Sequence, residues 1–142
     1  MQLWLIYALL GAISASMVSI FTKLGVVHLS PSLAGTIKGI IMALFLVAIS
    51  SIKGDFSNIS SIFEYKKDFF FLVLTGVFGA LSWLFMNYAF KYGSVTKVVP
   101  IDKLSIVFTI LLAALILNEK LNFKILIGVA LVFVGALVIA FN

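Results

Sequence analysis

Five runs of about twenty apolar residues divide this chain, and they constrain its fold more than any other feature. A helix needs about twenty residues to cross the hydrocarbon layer of a membrane, which is roughly 30 Å thick. We therefore predict an all-α integral membrane protein with one domain over residues 1–142. Its five transmembrane helices should lie at about Gln2 to Thr22, Pro31 to Ile52, Phe69 to Phe90, Ser94 to Leu117 and Phe123 to Phe141.

The composition supports a lipid environment. Hydrophobic residues make up 63% of the 142 residues, whereas a soluble domain is usually about half apolar. The chain has no cysteine and one histidine, His28, so we expect no metal centre and no cofactor. It also lacks a nucleophile paired with a base and a phosphate-binding glycine loop, so enzyme activity is disfavoured.

The charges fit contact with a bilayer. The net charge of +5 favours anionic lipid headgroups, and no basic run or basic helix face predicts nucleic-acid binding. The side that would hold the N-terminus carries Lys53, Lys66, Lys67, Lys120 and Lys124, and the other carries Lys23, Lys38, Lys91 and Lys97. This small difference weakly favours a cytoplasmic N-terminus, and it fits either a fixed orientation or insertion in both orientations.

Small residues recur every four positions on three predicted helices. They are Gly11, Ala15 and Ser19 on the first helix, Gly35, Gly39 and Ala43 on the second, and Ser105, Thr109 and Ala113 on the fourth. Such stripes let backbones approach closely in a membrane, where the hydrophobic effect does not drive helices together. We interpret them as helix-packing surfaces.

Three charged residues lie inside the spans at one level. Lys38 follows Pro31 by seven positions. Asp102 and Lys103 follow Ser94 by eight and nine positions. At 1.5 Å per residue, all three lie about 10–13 Å below the same membrane surface. Asp102 can pair with Lys38, or with Lys103 if that side chain bends back.

Ionisable residues at such a depth are usually functional, so we assign these three to a substrate pathway. Two alternatives stay open: a structural ion pair, and a Lys38 side chain that reaches the membrane surface.

Pro100 comes just before two of these charges. Proline leaves the carbonyl of Thr96 without its helical donor and bends the helix. Such a carbonyl is tolerated in a membrane where it is buried in protein or lines a watery cavity. Pro100, Asp102 and Lys103 together therefore predict a polar cavity.

Gly79, Trp83 and Asn87 share one face of the third predicted helix, at spacings of four. Asn87 comes within reach of the charged level, and Trp83 lies deeper than the interfacial belt that most tryptophans occupy. Trp83 can therefore line a pocket and stack on an apolar or cationic ligand. The alternative is that Trp83 is simply packed.

The segment from Ala80 to Phe141 resembles the second part of an EamA domain, from the drug/metabolite transporter superfamily. In that family a helix ends in a Gly-Glu pair, and here Asn118 and Glu119 stand in this place. Gly128 and Gly135 match the spaced glycines of the family's last helix.

The first part of the chain is similar to the same family. FTKLGV, Phe21 to Val26, resembles the end of the family's first helix. LSPSLAGTIKG, Leu29 to Gly39, resembles the start of its second helix, with Lys38 where an arginine is usual. The resemblance thus covers nearly the whole chain.

The resemblance implies a half-transporter in the inner or plasma membrane of a prokaryote. Most family members hold two such domains as an inverted repeat, and such transporters place the substrate site at the repeat interface. One five-helix domain then needs a partner, which is a homodimeric copy, antiparallel in one arrangement, or a paralogous half-transporter. Gly128 and Gly135 would pack helices, and Glu119 would make a gate or loop contact.

Three functions fit these observations. The first is secondary transport of a small organic solute, with an anionic or zwitterionic substrate favoured and with coupling to protons or another ion. Its pathway residues are Lys38, Trp83, Asn87, Pro100, Asp102 and Lys103. The alternatives are a flippase for a lipid or lipid-linked sugar, and a membrane assembly subunit that transports nothing.

Overall fold

The computed structural model describes residues 3–142, without the side chains of Asn58, Ser61 and Phe63. These residues form helices and turns with no strand, which confirms the all-α class. The helices are α1 (Leu3–Gly25), α2 (Pro31–Lys53), α3 (Ser61–Glu64), α4 (Lys66–Tyr92), α5 (Val95–Asp102), α6 (Leu104–Ile116) and α7 (Phe123–Ala140). A short 3₁₀ turn, Asp55–Asn58, precedes α3. Gln2, where the first helix was predicted to begin, lies outside the described residues.

Within residues 3–142, five segments are long and apolar enough to cross a membrane, and the protein is therefore a multi-pass membrane protein. They are α1, α2, α4, the stretch Val95–Ile116 that joins α5 and α6, and α7. The third span begins at Lys66, three residues before the predicted start at Phe69.

The ends of α2 are set by local chemistry. Ser30 precedes the helix in an extended conformation, and its hydroxyl accepts a hydrogen bond from the Leu33 N–H at 3.3 Å. Pro31 occupies the first helical position, where its missing N–H removes no helical bond. Gly54 ends the helix with a φ of 75°, a left-handed conformation that favours glycine.

The fourth span is interrupted at Lys103, between α5 and α6. Pro100 cannot donate to the Thr96 carbonyl, so the helical ladder is already broken in α5. The Lys103 N–H then donates to two carbonyls, those of Val99 at 3.2 Å and Pro100 at 3.1 Å. Lys103 has a ψ of −11°, far from the helical value near −42°. The bend expected from Pro100 thus reaches the charged residues themselves.

The chain divides into two compact units. The terminal unit comprises Met1–Lys23 and Tyr92–Asn142, and in it α7 packs against α5 and α6, with Ala136 and Ala140 buried. The central unit comprises Leu24–Lys91. Its buried residues are Val26, Pro31, Asn87 and Phe90, where α2 begins and α4 ends.

Candidate functional site

Helices α2 and α4 of the central unit enclose a cleft of about 410 Å³, the α2–α4 cleft. Its lining residues are Ser32, Gly35, Thr36 and Gly39 from α2, and Ala80, Trp83 and Leu84 from α4. On each helix they recur at spacings of three or four, so each helix contributes one face. Because the α2 face carries only small side chains, the cleft has room beside the indole of Trp83.

The Lys38 ammonium lies over the Trp83 ring, 4.8 Å from its centroid. A cation within about 6 Å of an indole face is attracted by the ring's negative electrostatic potential. Among the described side chains of the central unit, no carboxylate lies within 4.0 Å of this ammonium. Two predicted site residues, Lys38 and Trp83, are thus in contact, and Lys38 has an aromatic partner within its own unit.

Asn87 is the buried polar residue of this unit, with 1% of its surface exposed. Its Nδ2 donates to the Pro31 carbonyl at 3.0 Å, which orients the amide, because a flipped amide would set two acceptors face to face. Its Oδ1 is buried and has no hydrogen-bond partner among the described residues. A Cβ added at Gly35 would lie 2.9 Å from Asn87 Nδ2, so α2 and α4 are close there.

Lys91, which the sequence places only among the loop charges, is a structural residue. Its Nζ donates to the carbonyls of Val26 at 2.8 Å, Val27 at 2.7 Å and Leu29 at 3.4 Å. These carbonyls follow the end of α1, where helical partners run out. Lys91 comes four residues after Asn87, so extending the spacing of Trp83 and Asn87 by one turn would have identified it.

In the terminal unit, the Lys103 ammonium lies 3.4 Å from Asp102 Oδ2. Adjacent residues on an ideal helix point about 100° apart. The turn at Lys103 and the length of its side chain allow the contact. The two side chains keep 50% and 34% of their surface exposed, so this ion pair lies at the surface of the chain within a membrane span.

Pro100 lines a second cleft, of about 340 Å³, with residues of α1, α5 and α7. Its other lining residues are Ser16, Met17, Ser19, Ile20, Val95, Thr96, Val99 and Ile139, so the walls are mostly apolar. Asp102 is not among them, because residues two positions apart on a helix do not share a face. The polar cavity expected around proline, aspartate and lysine is therefore divided: Pro100 faces an apolar cleft, and the ion pair lies elsewhere.

The remaining predicted residues occupy open positions. A Cβ built at Gly39, Gly128 or Gly135 would meet nothing within 4 Å, and Ala43 is exposed. Glu119 is exposed in the turn after α6, and its N–H donates to the Ala113 carbonyl at 3.3 Å. A role of these residues in helix packing or gating stays a prediction.

Asn118, beside Glu119, has a φ of 54°. Glycine adopts this left-handed conformation readily, and asparagine is among the other residues that adopt it most often. The backbone therefore accounts for Asn118 at the position where the resembled pattern has glycine.

Five helices of the described residues that can span a membrane, with paired charges and a cation–aromatic contact inside them, are features of a polytopic membrane protein. Comparison with known proteins specifies this class further. The chain belongs to the EamA-like transporter family, which it matches over residues 2–141. A similar curated protein, from Sinorhizobium sp, is named an uncharacterized transporter in the cobO 3′ region. It is 35% identical over 139 residues, which cover 98% of this chain and 97% of the relative. No solved structure matches the chain.

Family membership confirms the resemblance stated above and makes the protein a membrane transporter. It points to transport rather than to enzyme activity.

Proposed function

We propose that this protein is a half-transporter that moves a small anionic or zwitterionic organic solute across the inner or plasma membrane of a prokaryote. The observation that carries this proposal is the Lys38 ammonium over Trp83, beside the α2–α4 cleft. A cavity of some 300–1,000 Å³ is typical of small-molecule sites, and the cleft of about 410 Å³ falls in this range.

Lys38 suits an anionic group because its partner in the central unit is a ring and not a carboxylate. A cation–π contact contributes about 0.5–2 kcal/mol. An ammonium that donates to a carboxylate makes a stronger, charge-assisted hydrogen bond. A solute carboxylate or phosphate can therefore bind Lys38 without displacing an internal counter-ion of the central unit.

The Asp102–Lys103 pair supports the second half of the proposal, a paired transporter. Charged groups that face lipid in a span cost several kcal/mol, so such residues usually face a water-filled cavity or another protein surface. This pair is 34% and 50% exposed in the single chain. A second five-helix copy, inverted as in the repeats of larger transporters, or a paralogous half-transporter would give the pair such surroundings.

Asp102 is the residue that we assign to ion coupling. Its Oδ2 lies 3.4 Å from the Lys103 ammonium. A proton or another cation that binds Asp102 weakens this contact, and release of the cation restores it. No organic cofactor enters this scheme.

The proposal is tested in proteoliposomes loaded with a mixture of amino acids, carboxylic acids and amines, whose loss is measured by mass spectrometry. Lys38→Met and Asp102→Asn should abolish the loss that the wild type shows. Lys97→Met is the matched control for Lys38, because Lys97 is exposed near the start of its span, and it should move solute at the wild-type rate.

Two other results would replace the proposal. Scrambling of lipids without loss of any solute would favour a flippase. Movement of neither lipids nor solutes by well-folded protein would favour an assembly subunit.

A further inference from the structure

A groove of about 460 Å³, the α3–α4 groove, lies at the start of the third span and has no part in the scheme above. Its lining residues are Ile62 from α3, Tyr65 between the two helices, and Asp68, Phe69, Leu72 and Val73 from α4. The α4 residues recur at spacings of three and four, which places them on one side of that helix. The groove is open to its surroundings, since Tyr65 is 60% exposed and Leu72 is 67% exposed.

The position of the groove along α4 puts one of its ends at the membrane surface. The helix Lys66–Tyr92 has 27 residues and is about 40 Å long, so it exceeds the hydrocarbon layer by about 10 Å. Its charged first residues, Lys66, Lys67 and Asp68, therefore belong at the level of the lipid headgroups. Leu72 comes four residues after Asp68 and lies about 6 Å deeper. The groove thus runs from a polar end among headgroups to an apolar end in hydrocarbon.

The charges at the polar end have both signs. Lys66 and Lys67 are exposed, and Asp68 lines the groove. Among the described side chains, no ammonium lies within 4.0 Å of the Asp68 carboxylate, so a cationic headgroup that binds it displaces no internal cation. The lysines attract a phosphate, and the carboxylate accepts a charge-assisted hydrogen bond from an ammonium.

The same charges favour a lipid over a second protein chain as the occupant of the groove. A protein surface packed against this end would take charged side chains out of water, which costs free energy unless each is paired. Headgroups leave these side chains hydrated, and an acyl chain covers the exposed apolar side chains deeper in the groove. A phospholipid therefore matches both ends of the groove.

We propose that the α3–α4 groove binds a phospholipid whose headgroup ends in an N–H ammonium, the headgroup of phosphatidylethanolamine. The ammonium binds the Asp68 carboxylate, and the phosphate lies near the lysines of the same turn. An acyl chain runs along Phe69, Leu72 and Val73. The groove shares no lining residue with the α2–α4 cleft, so this inference does not depend on the proposed function.

The test compares three lipids with identical acyl chains. Phosphatidylethanolamine has an ammonium with N–H donors, phosphatidylcholine has a trimethylated ammonium without them, and phosphatidylglycerol has no ammonium. Purified protein in dodecylmaltoside is titrated with each lipid, and native mass spectrometry measures the affinity for the first bound molecule and the number of protein chains.

The wild type should bind phosphatidylethanolamine about two- to tenfold more tightly than the other two lipids, as expected for one hydrogen bond. Asp68→Asn should remove this preference. Asp55→Asn is the matched control, because it neutralises an exposed carboxylate of the same connection that does not line the groove, and it should keep the preference. If Asp68→Asn does not fold, the three lipids on the wild type still decide.

A second pair of variants tests the apolar end. Leu72→Ala should weaken the binding of all three lipids by a similar factor, because it removes apolar contact but no headgroup contact. Leu115→Ala, which replaces a leucine of α6 that is 77% exposed, should leave the three affinities unchanged.

Three results would overturn the inference. The first is equal affinity of the wild type for phosphatidylethanolamine and phosphatidylcholine, or a preference that survives Asp68→Asn. The second is tightest binding of phosphatidylglycerol, because the lysines alone would then select the lipid. The third is a dimer that retains no lipid, because a second chain would then cover the groove.

Discussion

Replacing Gly35 by alanine should destabilise the protein, whereas the same replacement at Gly39, one turn further along α2, should stabilise it. The added Cβ at Gly35 would lie 2.9 Å from Asn87 Nδ2, and the one at Gly39 would meet nothing within 4 Å. Both glycines lie inside the helix Pro31–Lys53, so both substitutions change backbone conformational freedom in the same way. The comparison therefore isolates the contact with Asn87.

The size of the effect follows from two opposing contributions. Alanine is more favourable than glycine in a helix interior by about 0.5–1 kcal/mol, and this applies at both positions. Overfilling a packed site costs about 1–3 kcal/mol, and it applies at Gly35 because the buried amide there is held by Pro31. The free energy of unfolding of the Gly35→Ala protein should therefore be about 1–3 kcal/mol lower than that of the Gly39→Ala protein.

The assay is thermal unfolding of both variants in one detergent, followed by tryptophan fluorescence. A difference of 1 kcal/mol corresponds to a Tm difference of about 2–8 °C in domains of 60–250 residues. A double-mutant cycle identifies the cause. In an Asn87→Ala background the obstructing amide is gone, so Gly35→Ala should raise Tm as Gly39→Ala does.

Two results would refute this reasoning. If Gly35→Ala is equally destabilising with and without the Asn87 side chain, the contact with Asn87 is not its cause. If Gly39→Ala lowers Tm as much as Gly35→Ala, then Gly39 also makes a close contact, and a second chain would have to supply it.

Two further predictions concern the helix ends. Lys91→Met removes the donor that bonds to the carbonyls of Val26 and Val27, and it should lower Tm by several degrees because hydrogen bonds to charged groups contribute about 1.5–3 kcal/mol. The control Lys120→Met replaces an exposed lysine and should leave Tm unchanged. Equal Tm values for the two variants would contradict the role of Lys91. Residue 118 has a φ of 54°, a left-handed conformation that costs an L-residue about 1–2 kcal/mol, so Asn118→Ala should lower Tm and Asn118→Gly should not. Identical Tm values for these two variants would show that the left-handed turn is not formed.

The transmembrane architecture is predictable because it follows from segment length and charge alone. Each span is a run of about twenty residues with few charges. In lipid, an α-helix is one of the few structures in which every backbone N–H and C=O group has a hydrogen-bond partner. The charges of Lys66, Lys67 and Asp68 predict a loop and a helix start at Phe69, whereas α4 begins three residues earlier, at Lys66. Charged residues at the membrane surface can continue a helix without cost, so composition does not fix such a boundary.

The site was partly accessible from the sequence. Spacing predicted that Trp83 and Asn87 share a face, and depth predicted that Asn87 comes within reach of the level of Lys38, with Trp83 deeper. Which side chains touch depends on how each helix is rotated about its axis, and spacing along one helix does not fix its rotation relative to another. The contact of Lys38 with Trp83 and the proximity of Gly35 to Asn87 therefore emerge only from the structure.

One face of α4 explains why these contacts have different roles. Asn87 and Lys91 bond to backbone carbonyls around the start of α2, where Val26 and Pro31 are buried, and breaking those bonds leaves polar groups unpaired. One turn before Asn87, Trp83 meets Lys38 through a ring face that bonds no backbone group. The Lys38 ammonium can leave this ring without unpairing any backbone group, so the cationic contact is the part of the α4 face best suited to exchange an internal partner for a solute.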